Sequence, residues 1–470
     1  MFRSDRLLWA FFSWVLLLSA SHAEVYGQRL NGVENYAINR PGVVTIRTEY
    51  SANVYVNHMK MATRAFNTML DSIQRLDNSG AISAEQKLDI VLREMNNNPT
   101  RFFQATFDYI KQAEQITAIG TGFFVTGDGY VATNCHLIDR DNTFIRRQFI
   151  LSAFRQITDA NISALESSWA MTFTEQQRSL LYNTYSSVYS RLFSMVLYDL
   201  KKNVYVVYRS DRENKPAVGE KRPATIILKG QPMPGKDIAI LKIDLDKDIR
   251  EMPVLPLAST RLPQVGEQLF VYGYPAPVTN NDFVSVESAI EPTLTTGIVS
   301  ALKKSVNGWP LLQMDANINH GSSGGPVCNE KGEVVGLSTF GSLENSGGLA
   351  AGLNFAIPVN ILSEFLDSAG ITPKISKATH LFAEGLVLYD NQYYRAALKK
   401  FKEVLERNHR YPGIYTYMAD CRINIENGKS RDSGPVAHLL FYSCLLLLLF
   451  AVITTGTFLY HSLHKKIPAK

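Results

Sequence analysis

The run Met314–Pro326, M-D-A-N-I-N-H-G-S-S-G-G-P, places Ser323 between Gly321 and the pair Gly324-Gly325. Glycines at this density let the backbone fold tightly, so that amide N–H groups point into one shared pocket. A hydroxyl presented there can attack a carbonyl while the amides hold the negative charge that develops on its oxygen. The segment predicts Ser323 as a nucleophile and the N–H groups of Gly321 and Ser323 as an oxyanion hole; a plain Gly/Ser turn between strands is the competing reading. Serine is a weak nucleophile until a base takes its proton. Upstream, Gly120–His136 (G-T-G-F-F-V-T-G-D-G-Y-V-A-T-N-C-H) reads as a strand, a Gly127-Asp128-Gly129 turn, a second strand and a histidine at its end. On its own that histidine would be a polar strand end; paired with the serine motif it predicts His136 as general base. The third requirement is a buried carboxylate that fixes the imidazole tautomer. Lys236–Asp244 (K-D-I-A-I-L-K-I-D) offers two, and Asp237 is preferred to Asp244 because it precedes the apolar run instead of closing it. Only a neutral imidazole accepts the serine proton, so the rate should fall on acidification.

These residues resemble the trypsin-fold serine proteases, and among them the HtrA (high-temperature-requirement) type. The likeness rests on Gly120–His136, Asp237–Ile243, Val265–Pro275 (V-G-E-Q-L-F-V-Y-G-Y-P), Thr296–Leu302, Asp315–Phe340 and Asn354–Asn360 (N-F-A-I-P-V-N), in the family's order. The resemblance implies a mainly β core of two packed six-stranded barrels, with the triad in the cleft between them, and peptide-bond hydrolysis through an acyl-enzyme; no cofactor or metal is expected, since no Cys/His spacing suggests zinc. It further implies that Asn317, His320 and the segment Ser338-Thr339-Phe340-Gly341 bind the substrate side chain. None of these is a carboxylate, so small or medium apolar side chains are expected there. The sequence departs from the family in its long His136–Asp237 spacing, in His320, and in the lack of a recognisable PDZ peptide-binding module after Asn360. Ser322 stands where digestive relatives carry an aspartate that pairs with a new N-terminus, so that mode of activation is not expected.

Those residues need elements to carry them. Gly42–Tyr50 alternates in the manner of a first strand. From His58 to about Ala113 the apolar spacing (Met61, Ala65, Met69; Leu88, Val91, Met95; Phe102, Phe103, Phe107, Ile110) suggests helices ahead of the barrels, as packing or as an oligomerisation element. The core domain is set at 116–372, with a helical insertion at 139–202. There Phe149, Phe154, Ile157, Leu181, Tyr185, Val188, Phe193 and Val196 recur at helical steps. The insertion is expected to cover part of the cleft or bind a partner, with plain core packing as the alternative. Residues 376–428 resemble a tetratricopeptide repeat and part of a second: Gly385, Ala397 and Phe401 fit the spacing, and Ala419 falls one repeat of about 34 residues after Gly385. One repeat cannot bury its own apolar face, so it must dock on the core or on another protein.

The two ends suggest export. Arg3 and Arg6, the apolar run Leu7–Leu18 and Ser21-His22-Ala23 read as a signal peptide over residues 1–23, with an uncleaved anchor as the rival. A linker at 429–436 leads to a span set at 437–460, whose uncharged run Leu439–Tyr460, about 22 residues, is long enough to cross a ~30 Å hydrocarbon core. The tail 461–470, with Lys465, Lys466 and Lys470, favours the cytoplasmic side. The expectation is a single-pass protein with its catalytic domain outside the cytoplasm, periplasmic in a bacterium. Net charge is only +5 with no long basic run, which gives no reason to expect nucleic acid as partner. Cys135 and Cys328 are the one pair considered for a disulfide, although small buried apolar fillers is the preferred reading. Polypeptide substrates, the membrane, a protein partner at the helices and a homo-oligomer are the expected contacts. A catalytically silent chaperone or scaffold on the same fold is the rival.

Overall fold

The computed structural model describes residues 29–77, 82–192, 195–259, 261–275, 285–343, 349–432 and 435–464. The expected signal peptide and the three tail lysines lie outside them, as does Phe193. Among the described residues, twelve strands make two closed barrels. The first takes β1 (Val43–Met61), β2 (Phe103–Phe124), β3 (Tyr130–Thr133), β4 (Met195–Arg212), β5 (Lys215–Lys229) and β6 (Ala239–Ile243), in the order β1-β2-β3-β6-β5-β4. The second takes β7 (Gln268–Gly273), β8 (Thr293–Lys304), β9 (Pro310–Met314), β10 (Pro326–Cys328), β11 (Val334–Leu343) and β12 (Leu349–Pro358), in the order β10-β11-β12-β9-β8-β7. Alternation drives the strands: in β1 every even residue from Val44 to Val56 is buried while the odd ones are partly exposed. The chymotrypsin-like, mainly β class read from the sequence is the class observed.

Helices run α1 (Gly32–Asn39), α2 (Thr63–Asp77), α3 (Ala84–Asn97), α4 (Pro99–Phe102), α5 (Cys135–Ile138), α6 (Asn142–Trp169), α7 (Glu175–Leu192), α8 (Val286–Ala289), α9 (Val359–Ser368), α10 (Lys377–Asp390), α11 (Tyr394–Leu405), α12 (Ile414–Glu426) and α13 (Pro435–His464). Two expectations need correction. The helices α2–α4 do not precede the first barrel; they are inserted between its strands β1 and β2, which pair from Val43↔Phe123 to Met61↔Phe103. The core therefore begins near residue 43 and not at 116. Phe103–Ala113 and Val196 are strand, not helix: Val56 pairs with Ile110 and with Met195, and this long-range pairing overrides an ambiguous local spacing.

The inserted helices build a lobe of their own. Val54 and Val56 of β1, Met69 and Ile73 of α2, Leu92 and Met95 of α3, Phe149 and Ile157 of α6, and Leu181 and Tyr185 of α7 share one core. The expected insertion therefore packs against the expected N-terminal helices, on the long ends of β1, β2 and β4. A separate core joins α10, α11 and α12 to Ile38 of α1. Within it a Cβ on Gly385 would lie 2.5 Å from the Phe401 ring, so only glycine admits this close helix crossing. Ala419, by contrast, is exposed: no further helix covers that face of α12 among the described residues. Leu440–Tyr460 within α13 is long and apolar enough to cross a membrane, and the described residues bury none of its most apolar stretch.

Candidate active site

His136 sits in the single turn α5, directly after β3, and Asp237 directly before β6, the strand paired with β3 from Thr133↔Ala239 to Tyr130↔Lys242. That pairing lays the two residues side by side. Asp237 is fully buried, and its carboxylate receives three hydrogen bonds. Oδ2 lies 2.6 Å from His136 Nδ1 and 2.9 Å from Thr339 Oγ1, and Oδ1 accepts from the His136 N–H at 2.8 Å. A carboxylate so held keeps its charge in place and fixes the proton of the imidazole on Nδ1, leaving Nε2 free to accept another. Asn134 adds a fourth tie, donating to the Asp237 carbonyl at 2.8 Å.

Ser323 reaches the same place from the second barrel. Its hydroxyl donates to the Thr339 carbonyl at 2.9 Å, so one residue touches both the serine and the aspartate. The chain then turns through Gly324 at φ +83°, whose Cβ position would lie 3.0 Å from the Asn134 nitrogen, two residues before His136. Only glycine fits there. Gly321 has φ +97°, and neither its N–H nor that of Ser323 has a hydrogen-bond acceptor among the described residues. Both amides are thus available to an incoming oxygen.

The expected substrate-binding residues divide. Asn317 and His320 are exposed along the segment leading to the serine, which Asn354 braces through a 2.8 Å bond to the Ala316 carbonyl. Ser338 and Thr339 are buried, with their hydroxyls turned inward: Ser338 Oγ donates to the Ser322 carbonyl at 2.7 Å, and Thr339 Oγ1 serves Asp237. Their side chains face the catalytic loop and not a pocket, so the backbone is what they can present to substrate. Phe340 and Gly341 are described as β11 backbone, paired with Phe355 and Asn354. Sequence reasoning missed Thr339 as a partner of the aspartate, Asn134, and Thr121. The T-G-F block was read only as strand, though a hydroxyl between Gly120 and Gly122 was a visible signal. Cys135 and Cys328 are free and buried. Burial, then the charges of Asp237 and Asp139, push the Cys135 thiol up to about 11, so the neighbour of His136 stays a neutral thiol at neutral pH.

Residues 195–337 match the model of a trypsin-like peptidase domain. Serine endoprotease DegS of Haemophilus influenzae is 35% identical over 130 residues, 28% of this chain and 35% of that protein. A probable periplasmic serine endoprotease, DegP-like, of Buchnera aphidicola is 33% identical over 173 residues, 34% of this chain and 33% of that one. Protease Do-like 1, chloroplastic, of Arabidopsis thaliana is 32% identical over 140 residues, 28% of each chain. The matches thus span about a third of the length of these relatives. Among solved structures, the HtrA-type protease AlgW with tripeptide aligns over 72% of this chain and 63% of its own at 17% identity and a TM-score of 0.34. Over residues 195–337 the chain is thus similar to trypsin-like peptidase domains, and its curated matches include serine endoproteases of the DegS and DegP-like kinds.

Proposed function

We propose that the chain is a membrane-tethered serine endopeptidase that cuts polypeptides outside the cytoplasm, with protein quality control as its role. One observation carries the proposal: Thr339 joins the serine to the aspartate that already holds His136. In the reaction, Ser323 leaves the Thr339 carbonyl and gives its proton to His136 Nε2 as Oγ attacks the scissile carbonyl. The amides of Gly321 and Ser323 take the developing oxyanion. His136 then passes the proton to the departing amine, and water repeats the sequence on the acyl-enzyme. Asp237 stabilises the imidazolium throughout.

Extracytoplasmic placement draws on the apolar helix Leu440–Tyr460 and on the periplasmic naming of a relative. The tetratricopeptide-like helices, the tail orientation and the signal peptide belong to the same proposal and rest on sequence pattern. A fluorophosphonate probe should label the wild type, and labelling should vanish in Ser323→Ala. The hydrogen bond from Ser323 to Thr339, and not to His136, favours one rival, a silent peptide-binding form. A wild type that the probe leaves unlabelled would establish that rival.

A further inference from the structure

Thr121 lies on β2, opposite Thr45, and is fully buried. Four hydrogen bonds converge on it from three other segments. Its N–H donates to the Ser323 carbonyl at 2.8 Å, and its hydroxyl donates to the Gly321 carbonyl at 2.7 Å. The same hydroxyl accepts from the Tyr274 N–H at 3.0 Å, and the Thr121 carbonyl accepts from Thr133 Oγ1 at 2.7 Å. A hydroxyl has one proton to give. Because Tyr274 N–H already occupies a lone pair, the O–H is committed to Gly321.

We propose that Thr121 is the positioning residue of the oxyanion loop, acting through its side chain and not only through its backbone. A peptide unit is planar, so fixing a carbonyl fixes the N–H on the far side of the same plane. Three successive carbonyls of the loop are fixed: Gly321 by Thr121 Oγ1, Ser322 by Ser338 Oγ at 2.7 Å, and Ser323 by Thr121 N–H. Holding the Ser322 carbonyl turns the Ser323 N–H the other way. Holding the Gly321 carbonyl turns the Ser322 N–H onto Asn319, whose carbonyl it meets at 2.9 Å, closing the turn that contains Gly321. Glycine rotates at little cost. Without the threonine hydroxyl, nothing else among the described residues holds the Gly321 carbonyl, and rotation about the φ and ψ of Gly321 can then carry its N–H, which lies in the preceding peptide unit, out of the site. The first barrel thereby sets the shape of a loop that belongs to the second.

This inference rests on the peptidase reading, and the test separates the two. Thr121→Val keeps the shape and removes the hydroxyl. Loss of one oxyanion donor slows catalysis by roughly 100-fold or more; a loosened donor should cost about 10- to 100-fold in kcat, with KM within about threefold of wild type. Thr121→Ser keeps the hydroxyl and should restore kcat to within about threefold. The pH profile of kcat/KM should keep its wild-type shape, because His136 and Asp237 are untouched. If the valine form does not fold, Thr121→Cys replaces it and should fall between the serine form and a tenfold loss, since a thiol donates weakly. A valine form within twofold of wild type, a serine form as slow as valine, a cysteine form equal to wild type or an altered pH profile would each overturn the inference. A wild type that no fluorophosphonate labels removes the peptidase reading and takes this inference with it.

Discussion

At the residue scale, the site depends on a charge kept buried by the donors around it. Asp237 has one bond from the His136 ring, one from its backbone and one from Thr339 Oγ1. Replacing Thr339 by valine leaves the carboxylate buried with one donor fewer. A hydrogen bond to a charged group is worth about 1.5–3 kcal/mol, so kcat/KM should fall about 10- to 100-fold with little change in KM. Steady-state kinetics on a short peptide would check this, and an unchanged kcat would mean that the His136 contacts alone hold the aspartate. Ser323, His136 and Asp237 could be picked out as candidates from sequence because each sits in a short local pattern: serine among glycines, histidine after a strand, aspartate before one. The roles of Thr121 and Thr339 could not, because their partners lie 200 and 102 residues away; the glycines beside Thr121 mark the position but not its partner.

At the element scale, legibility stops where pairing becomes long-range. The barrel strands that carry the site were visible as alternating runs. The extension of β1 to Met61 was not, since its partner begins at Phe103 and two helices and a short turn intervene. The lobe is joined to the catalytic barrel at Asp139, between α5 and α6. There Lys229 of β5 bonds its carboxylate, and Lys202 of β4 lies 3.4 Å away. Partial burial alone would raise the Asp139 pKa, yet the Lys229 bond and the charges of both lysines outweigh it and lower it. A carboxylate whose folded pKa lies below its unfolded value stabilises the fold above that unfolded value, near pH 4, and the contribution is lost as pH falls through the folded pKa. The pair is about one-third exposed, so its worth is small. Asp139→Asn should cost about 0.5–1 kcal/mol at pH 7, with the gap to wild type closing below about pH 4. Urea unfolding at both pH values would measure it; an equal gap at both would remove the charge as its source.

At the scale of the whole molecule, the question is how the helices before the membrane span are attached to the peptidase. Asp432 accepts from the Ala396 N–H at 2.7 Å, so the chain is tied to α11 three residues before α13 begins at Pro435. The helical layer is in turn fixed to the first barrel around Glu251. One carboxylate oxygen takes the Ala378 N–H at the start of α10 at 2.9 Å, the other meets Arg407 at 3.2 Å, and the Glu251 carbonyl accepts from Asn408. A carboxylate at a helix start satisfies an amide that has no partner within the helix and complements the positive end of its dipole. Arg250 N–H to the Arg407 carbonyl, Val254 N–H to Thr379 Oγ1, Gly413 N–H to Asp211 Oδ2 and Arg410 to Asp246 add to the seam. Glu251→Ala removes the side-chain contacts and leaves the backbone ones, a loss of about 1–2 kcal/mol by analogy with a helix cap. The barrels keep their own cores, so the loss should be local. In detergent-solubilised full-length protein, amides of residues 377–426 should exchange about 5- to 30-fold faster. Protection in β1 and β7 and hydrolysis of a short peptide should stay as in the wild type. Equal protection of 377–426 in the variant would mean that the remaining polar contacts and the apolar packing on Ile38 hold the layer without Glu251. Faster exchange throughout both barrels would mean that the helices are part of the peptidase fold and not a layer docked on it.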